Sequence, residues 1–306
     1  MLSKIGQTEN VLIYDVESED IKYTLKGILK NKLHFSSRLL SKIKREKNIY
    51  VNGMYAKYHH VLNLGDQIKV IMNETPNRFD PQDIPFYVVY EDCDIIIINK
   101  QPGIVTHPTK SHVDFTIANA AAYYMQASQK NYRIRFINRL DMNTSGLLVI
   151  AKNAYAQHIV SWQMKENKVK KKYIAFVEGN VVEDEKTIDA PIYKEAEDSI
   201  KRTVDDRGAI SLTKYRVVER FKNATKLEIE LLTGRTHQIR VHMAYIGHVI
   251  IGDDLYGAEA NKNISRQALH ATSLKMYKVR GNNDIEVEAL LPNDLSLLQE
   301  RLSKET

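Results

Sequence analysis

The spacing of apolar residues predicts two short helices near the start of the chain. Apolar side chains recur three and four residues apart, the period of an amphipathic helix, at Leu25, Ile28, Leu29, Leu39, Leu40 and Ile43. We therefore expect helices over 20–32 and 36–46. Apolar runs over 48–53, which ends in an Asn-Gly pair typical of a tight hairpin turn, and over 67–72 predict strands. Together these elements predict a small domain over 20–72.

A second and larger region follows a proline-containing linker. Segment 73–85 holds three prolines and several turn-forming residues between apolar runs, which is typical of a linker between domains. Beyond it, periodicity predicts strands that include 86–90, 94–99 and 227–231, and helices at 116–125, 154–164 and 236–245. We expect an α+β fold for 86–292, with a mainly antiparallel sheet and flanking helices.

Composition narrows the function classes that are open to this chain. Its 306 residues suit two domains, and 43% hydrophobic and 27% charged residues are typical of a soluble globular protein. No run approaches the roughly 18 apolar residues of a membrane span, and residues 1–16 contain no apolar signal core. The single cysteine, Cys93, excludes an internal disulfide and a multi-cysteine metal site. We therefore expect a cytoplasmic protein.

Positive charge is concentrated on the two predicted helices. The formal net charge is +6, while residues 26–57 alone contain nine lysines and arginines against one acid, Glu46. Such a dense patch is expected of a protein that binds a phosphate backbone, although a solvated helix face is the plain alternative. The candidate nucleic-acid contacts on the second helix are Arg38, Lys42, Lys44 and Arg45.

Segment 137–152 is the most informative for chemistry. Its sequence, INRLDMNTSGLLVIAK, sets Asp141 in a turn rich in Asn, Thr, Ser and Gly, ahead of a buried apolar strand. Such a loop can hold a carboxylate at the rim of a pocket while backbone N–H groups orient it. On base rates alone, a single aspartate at this position would more often cap the turn.

This segment resembles the catalytic motif of the large-subunit ribosomal RNA type of pseudouridine synthases, with Asn138 where that family usually has histidine. Further motifs of the family match in order, at Asn99–Gly103, Lys171–Tyr173, Leu232–His242, Gly252–Gly257 and Leu269–Ala271. The first region resembles the S4 RNA-binding domain, at Ser37-Arg38, Lys42, Val51-Asn52-Gly53 and Leu64-Gly65-Asp66. Together the two resemblances cover nearly the whole chain.

The resemblance implies an enzyme that isomerises specific uridines to pseudouridine in structured RNA, with large-subunit ribosomal RNA the leading substrate and no cofactor. Asp141 is the implied nucleophile or base on the ribose, and Tyr173 packs against the target base. Arg235 is expected to pair with the carboxylate and keep it ionised. Arg139 is the candidate to enter the helix stack and help to expel the uridine. Lys171, beside Tyr173, is expected to contact the RNA backbone.

Several alternatives stay open at this point. A non-catalytic RNA-binding ribosome-assembly factor or a tRNA-directed pseudouridine synthase would use the same surface. A glycosidase usually needs a second carboxylate, and segment 137–152 contains none besides Asp141. His237 and His242 have no third ligand at a suitable spacing, so we expect no metal site. The sequence reveals neither the target uridine nor the oligomeric state, for which a monomer is favoured.

Overall fold

The computed structural model describes residues 7–109, 112–258, 264–281 and 283–305. The chain begins with an antiparallel sheet of four strands, β1 (Val11–Asp15), β2 (Ile49–Val51), β3 (Met54–Tyr55) and β4 (Gln67–Ile71), in the order β1-β4-β2-β3. Its helices are α1 (Leu25–Gly27), which continues as a π-helical turn over Ile28–Lys32, and α2 (Ser37–Arg45). Because β1 pairs with β4 along its whole length, this N-terminal module begins before the expected boundary at residue 20.

A larger sheet forms the rest of the chain. Its strands are β5 (Tyr87–Glu91), β6 (Ile95–Lys100), β7 (Arg135–Phe136), β8 (Ser145–Ala151), β9 (Lys170–Glu178), β10 (Glu185–Asp189), β13 (Leu212–Arg220), β14 (Ala224–Leu231), β15 (Leu269–Tyr277) and β16 (Asp284–Glu288), while β11 (Ile192–Tyr193) and β12 (Thr203–Val204) form a separate hairpin. The main order is β10-β13-β14-β9-β15-β8-β6-β5, and only β8 and β15 run parallel among the described pairs.

Four helices within the described ranges flank this sheet: α3 (Ile117–Ala127), α4 (Ala154–Lys165), α5 (Gln238–Tyr245) and α6 (Asn293–Lys304). The expected α+β fold with a mainly antiparallel sheet is therefore confirmed. Helix α6 lies beyond the expected end at residue 292, yet its apolar side chains Leu295, Leu298 and Leu302 belong to the core of the large sheet. The larger region therefore extends through α6.

Strand β6 is buried on both of its faces. Ile96 and Ile98 pack in one hydrophobic core, and Ile95 and Ile97 pack in a second core on the opposite face. Neighbouring side chains of a strand point to opposite faces, so a strand that is covered on both sides has a continuous apolar run. This explains the four consecutive isoleucines, and it places the strand between the two hydrophobic cores.

The N-terminal module packs directly against the large sheet. The second core contains apolar residues of both parts, and the rings of Phe35 and Tyr155 lie 4.7 Å apart within it. In the expected linker, Glu74 forms an ion pair with Arg135 at 2.6 Å and accepts the N–H of Ala154, at the start of α4, at 3.0 Å. The Glu74 side chain is only 2% exposed. The segment between the two parts is therefore anchored at this residue.

Candidate active site

Asp141 lies on the loop between β7 and β8, and a buried lysine holds the backbone of that loop. Lys100, at the end of β6, donates from Nζ to the carbonyls of Gln101, Met142 and Thr144, each at 2.9 Å. The three acceptors match the three protons of an ammonium group. Burial lowers the pKa of Lys100 to about 7, and the negative charge of Asp141 opposes that shift. Lys100 thus fixes the loop and, in its protonated form, brings positive charge near the Asp141 carboxylate.

A second buried cation holds the same loop. Arg266 donates from Nη1 to the carbonyl of Asn143 at 3.0 Å and to that of Leu269, the first residue of β15, at 3.3 Å. Its Nε and Nη2 donate to the carboxylate of Asp294 in α6, at 2.7 and 3.0 Å. Arg266 therefore ties the loop to a neighbouring strand and to the last helix.

Two residues fix the ends of the Asp141 loop. At its start, Asn138 accepts the N–H of Val149 on Oδ1 at 2.8 Å and donates from Nδ2 to the carbonyl of Leu147 at 3.4 Å. At its end, Gly146 has a φ of +112°, and a Cβ there would lie 2.2 Å from the carbonyl oxygen of Ala271. Only glycine permits this approach of β8 to β15. Asn138 thus ties the start of the loop to β8.

The ion-pair partner of Asp141 is Arg240, in α5. Arg240 donates from Nη1 to Oδ2 of Asp141 at 3.1 Å, while its Nε and Nη2 donate to the two oxygens of Asp253, each at 2.7 Å. Asp253 is completely buried, and its bidentate contact fixes the plane of the guanidinium. Burial lowers the pKa of Arg240, but the ion pair with Asp253 outweighs this effect and raises it. A permanently charged group therefore faces the Asp141 carboxylate.

Tyr173 and His237 line the same pocket as Asp141. Tyr173, in β9, is 5% exposed. Burial, followed by the charge of Asp141, raises the pKa of its phenol, which therefore keeps its proton at neutral pH. His237 precedes α5, and its Nε2 lies 3.9 Å from Oδ2 of Asp141. Burial lowers the pKa of its imidazole, which is therefore neutral at neutral pH.

The pocket brings together four residues that the sequence singled out. Asp141, Tyr173, Arg139 and Arg235 all line it, although they come from three separate segments of the chain. Arg139 and Arg235 are exposed, whereas Tyr173 is buried. The pocket thus combines a carboxylate held by an arginine, a protonated phenol and two exposed guanidinium groups.

Comparisons with known proteins identify this arrangement. Residues 94–245 match a family model described as RNA pseudouridylate synthase. An uncharacterized RNA pseudouridine synthase of Bacillus subtilis is 39% identical over 267 residues, covering 85% of this chain and 87% of that protein. The chain belongs to the RNA pseudouridine synthase family. The expected activity, isomerisation of uridine to pseudouridine in RNA, is therefore confirmed, and RNA is its substrate.

Further relatives extend this result. The ribosomal large subunit pseudouridine synthase D of Escherichia coli is 35% identical over 265 residues, covering 82% of this chain and 81% of that protein. Among solved structures, the human RNA pseudouridylate synthase domain containing 1 superposes with a TM-score of 0.55 at 25% identity, covering 73% of this chain and 97% of that one. The pseudouridine synthase fold is thus present in the larger region.

The expected pairing of Arg235 with Asp141 is wrong for this synthase. Arg235 donates from Nε to the carbonyl of Ile210 at 3.3 Å, and the contact with Asp141 is made by Arg240. Both arginines lie in the motif Leu232–His242, and no feature of the motif favours the second over the first. The signal that separates them is three-dimensional, because Arg240 lies within α5, where it is buried beside Asp253.

The remaining expected RNA contacts lie outside this pocket. Lys171 lines a neighbouring pocket with Asn167 and Glu230, and burial lowers its pKa. On α2, Arg38, Lys44 and Arg45 are exposed, and Lys42 donates from Nζ to the carbonyl of Asn73. In the chain of contacts that starts at the Asp141 carboxylate, the sequence missed three residues, namely His237, Arg240 and Asp253.

The two histidines considered as metal ligands make other contacts in the synthase. His237 Nδ1 lies 3.0 Å from the hydroxyl of Tyr256, and His242 contacts the hydroxyl of Thr213 at 2.8 Å and the carbonyl of Ala190 at 2.9 Å. Within the part of the chain that the structure describes, no three His, Cys, Asp or Glu side chains are grouped to bind a metal ion. Among the same residues, no helix combines the length and apolar character that crossing a membrane requires.

Proposed function

We propose that this pseudouridine synthase modifies one or more uridines of large-subunit ribosomal RNA, in the cytoplasm. The Escherichia coli relative whose name specifies the large ribosomal subunit matches 82% of this chain, including part of the N-terminal module. The net charge of +6 also suits a polyanionic substrate. Transfer RNA is the rival substrate, and mapping of modified sites separates the two.

The contact between Asp141 and Arg240 is the observation that carries the catalytic proposal. The reaction detaches uracil from its ribose and rejoins it through a ring carbon, so substrate and product are isomers and no electron donor is consumed. A carboxylate at 27% side-chain exposure, held by one buried arginine, remains accessible to a ribose. Asp141 acts there as nucleophile or base, and Tyr173 offers a ring face and a protonated hydroxyl to the base.

The exposed arginines of the pocket suit roles toward RNA. Arg139 lies two residues before Asp141 and lines the pocket, where a planar guanidinium can replace part of the stacking that a flipped uridine loses. The side chain of Arg235 has no acidic partner among the described residues, and its one hydrogen bond to them is donated by Nε to the carbonyl of Ile210. Its remaining donors are suited to a phosphate of the substrate. Lys171, close to this pocket, is a further backbone contact.

The N-terminal module is proposed to be an S4 RNA-binding domain. Two features support this assignment: α2 presents exposed cations on one side, Arg38, Lys44 and Arg45, and buries Leu39, Leu40 and Ile43 on the other. Such a helix gains affinity from phosphates whatever the sequence of the RNA. Since the module packs on the large sheet, it would bind RNA at a fixed position relative to the pocket.

The test is site-resolved mapping of pseudouridine in cellular RNA, with and without this gene, followed by complementation with Asp141→Asn and Asp141→Ala. We expect the modification to be lost in both variants while RNA binding stays near normal. Asp184→Asn, at a side chain that is 85% exposed, is the matched control and should restore the modification. Turnover by Asp141→Ala would refute the catalytic assignment, and loss of a site only in transfer RNA would refute the ribosomal one.

A further inference from the structure

His237 has a backbone conformation that is uncommon for residues other than glycine. It is in the left-handed region, with φ of 58° and ψ of 17°, immediately before α5. Non-glycine residues adopt this conformation at a cost, and such strain at a pocket is a reason to look for a function. The side chain is 11% exposed, and it lines the pocket beside Asp141. The imidazole therefore faces the same pocket as the Asp141 carboxylate.

The distance between His237 and Asp141 leaves room for one substrate atom. Nε2 of His237 lies 3.9 Å from Oδ2 of Asp141, which is too far for a direct hydrogen bond. An oxygen placed between them, about 2.8 Å from each, would bond to both at an angle of about 90°. A hydroxyl suits this position, because it can donate to the carboxylate and accept from the imidazole.

Contacts on the other side of the ring select the tautomer that can donate. The hydroxyl of Tyr256 accepts the backbone N–H of Arg202 at 3.0 Å, and it lies 3.0 Å from Nδ1 of His237. Burial raises the pKa of Tyr256, so the phenol keeps its proton and can donate it to Nδ1. Because burial also keeps the imidazole of His237 neutral, its own proton is then on Nε2.

We propose that His237 binds the 2′-hydroxyl of the target ribose, donating from Nε2 to the oxygen whose proton is accepted by Asp141. This inference rests on the proposed function of Asp141, which must lie against the ribose. The 2′-hydroxyl is the group that distinguishes RNA from DNA. His237 is thus a specificity residue for ribose at the flipped nucleotide, and Tyr256 is a positioning residue that sets its tautomer.

The test is a thermodynamic cycle in which two forms of the protein are each measured with two RNAs. One RNA contains the mapped target uridine, and the other has 2′-deoxyuridine at that single position. Affinities are measured in the Asp141→Asn background, which retains an acceptor oxygen and prevents conversion during the measurement. We expect the deoxy RNA to bind about five- to tenfold more weakly to the protein with His237. With His237→Asn added, the preference for the RNA with the hydroxyl should fall about two- to fivefold, because the shorter side chain cannot reach the hydroxyl and only the acceptor at position 141 still bonds to it.

Asparagine is the substitution of choice because it tolerates the left-handed conformation, and His237→Gly provides a second variant without strain. Tyr256→Phe should reduce the discrimination in part, since it removes the proton donor to Nδ1. The matched control is His248→Gln, a histidine just beyond α5 that contacts the carbonyl of Glu178 at 3.0 Å. It should leave the discrimination unchanged.

The inference fails if His237→Asn and His237→Gly reduce the affinities for both RNAs by the same factor. That result leaves the proposed function intact, provided that the unmodified enzyme still converts the mapped uridine. Failure of the unmodified enzyme to convert that uridine would instead refute the proposed function. The two failures are therefore distinguishable.

Discussion

Helix α2 and the Asp141 loop both gather positive charge, but they hold it in opposite ways. On α2, three cations are exposed and form no ion pair among the residues that the structure describes: Arg38, Lys44 and Arg45. Around the loop, three cations are buried, and each donates to several defined acceptors: Lys100, Arg240 and Arg266. The exposed charges are available to a partner, whereas the buried charges already have theirs.

We expect the exposed cations to contribute to RNA affinity and the buried cations to position the Asp141 loop. Dissolved salt screens the attraction between exposed cations and phosphates, so the contribution of these cations to RNA affinity varies with ionic strength. A buried cation has lost its hydration and remains stable only where acceptors replace water. Its geometry is then fixed and insensitive to salt. Substitutions in the two groups should therefore give different kinetic and thermodynamic signatures.

The largest effect is expected for Arg240→Met. Asp141 loses its ion-pair partner, so turnover should fall about a thousandfold, equivalent to about 4 kcal/mol. Asp253 remains buried without a counter-charge, so the free energy of unfolding should fall as well. The double variant Arg240→Met with Asp253→Asn removes the orphaned charge. It should regain stability in urea unfolding without regaining single-turnover activity. Recovery of both would mean that Arg240 serves only the fold.

The sequence predicted much of this arrangement, but not its internal contacts. The strands that carry the site followed from apolar runs such as 94–99, and Asp141 followed from motif resemblance. The partner of Asp141 did not follow, because the motif Leu232–His242 offers both Arg235 and Arg240, and only the fold shows which of them reaches Asp141. The role of Asp253 did not follow either, since it depends on the orientation of the Arg240 guanidinium. Strand β1 was missed because VLIYD is too short and too uniformly buried to show alternation.

Lys100→Met is the next largest change. The carbonyls of Gln101, Met142 and Thr144 would lose their shared donor, so we expect the free energy of unfolding to fall by about 3 kcal/mol. Turnover should fall as well, because the loop that carries Asp141 is no longer fixed.

The matched control for Lys100 is Lys152→Met. Lys152 is also buried, at 1% exposure, but its Nζ pairs with Glu91 and donates to the carbonyl of Asp92. It should lose comparable stability in urea unfolding while keeping normal turnover at temperatures where it is folded. If both variants kept normal turnover, the buried cation at the loop would have no positioning role.

His270 is a buried group that stays neutral, in contrast to the buried arginines beside Asp141. It is completely buried between the hydroxyl of Ser145, at 2.8 Å, and the carbonyl of Ala289, at 3.3 Å, and burial lowers its pKa to about 4. The unfolded chain therefore binds a proton more readily between about pH 6.5 and pH 4. Stability is fully present above this window and falls as the pH decreases through it, by about 2 kcal/mol from pH 7 to pH 5.

The measurement compares urea unfolding at these two pH values for the unmodified protein and for His270→Gln. Other buried histidines also contribute to the slope, so the difference between the two proteins is the quantity to examine. The variant should lose about 2 kcal/mol less over the same interval. Identical slopes would show that His270 accepts a proton in the folded state.

The smallest effect is expected on α2, where it should depend on salt. Arg38→Ala combined with Arg45→Ala removes two exposed charges without creating a cavity, so RNA affinity should fall several-fold at low ionic strength. The slope of log affinity against log salt should become shallower by about 0.7 to 0.9 for each phosphate that is no longer neutralised. Saturated turnover should be unchanged.

Lys186→Ala removes an exposed charge that is already paired with Glu183 at 2.6 Å, and it should alter neither the RNA affinity nor the salt slope. A salt slope that stays the same in the α2 variant would assign phosphate binding elsewhere, with Arg235 and Lys171 the next residues to replace.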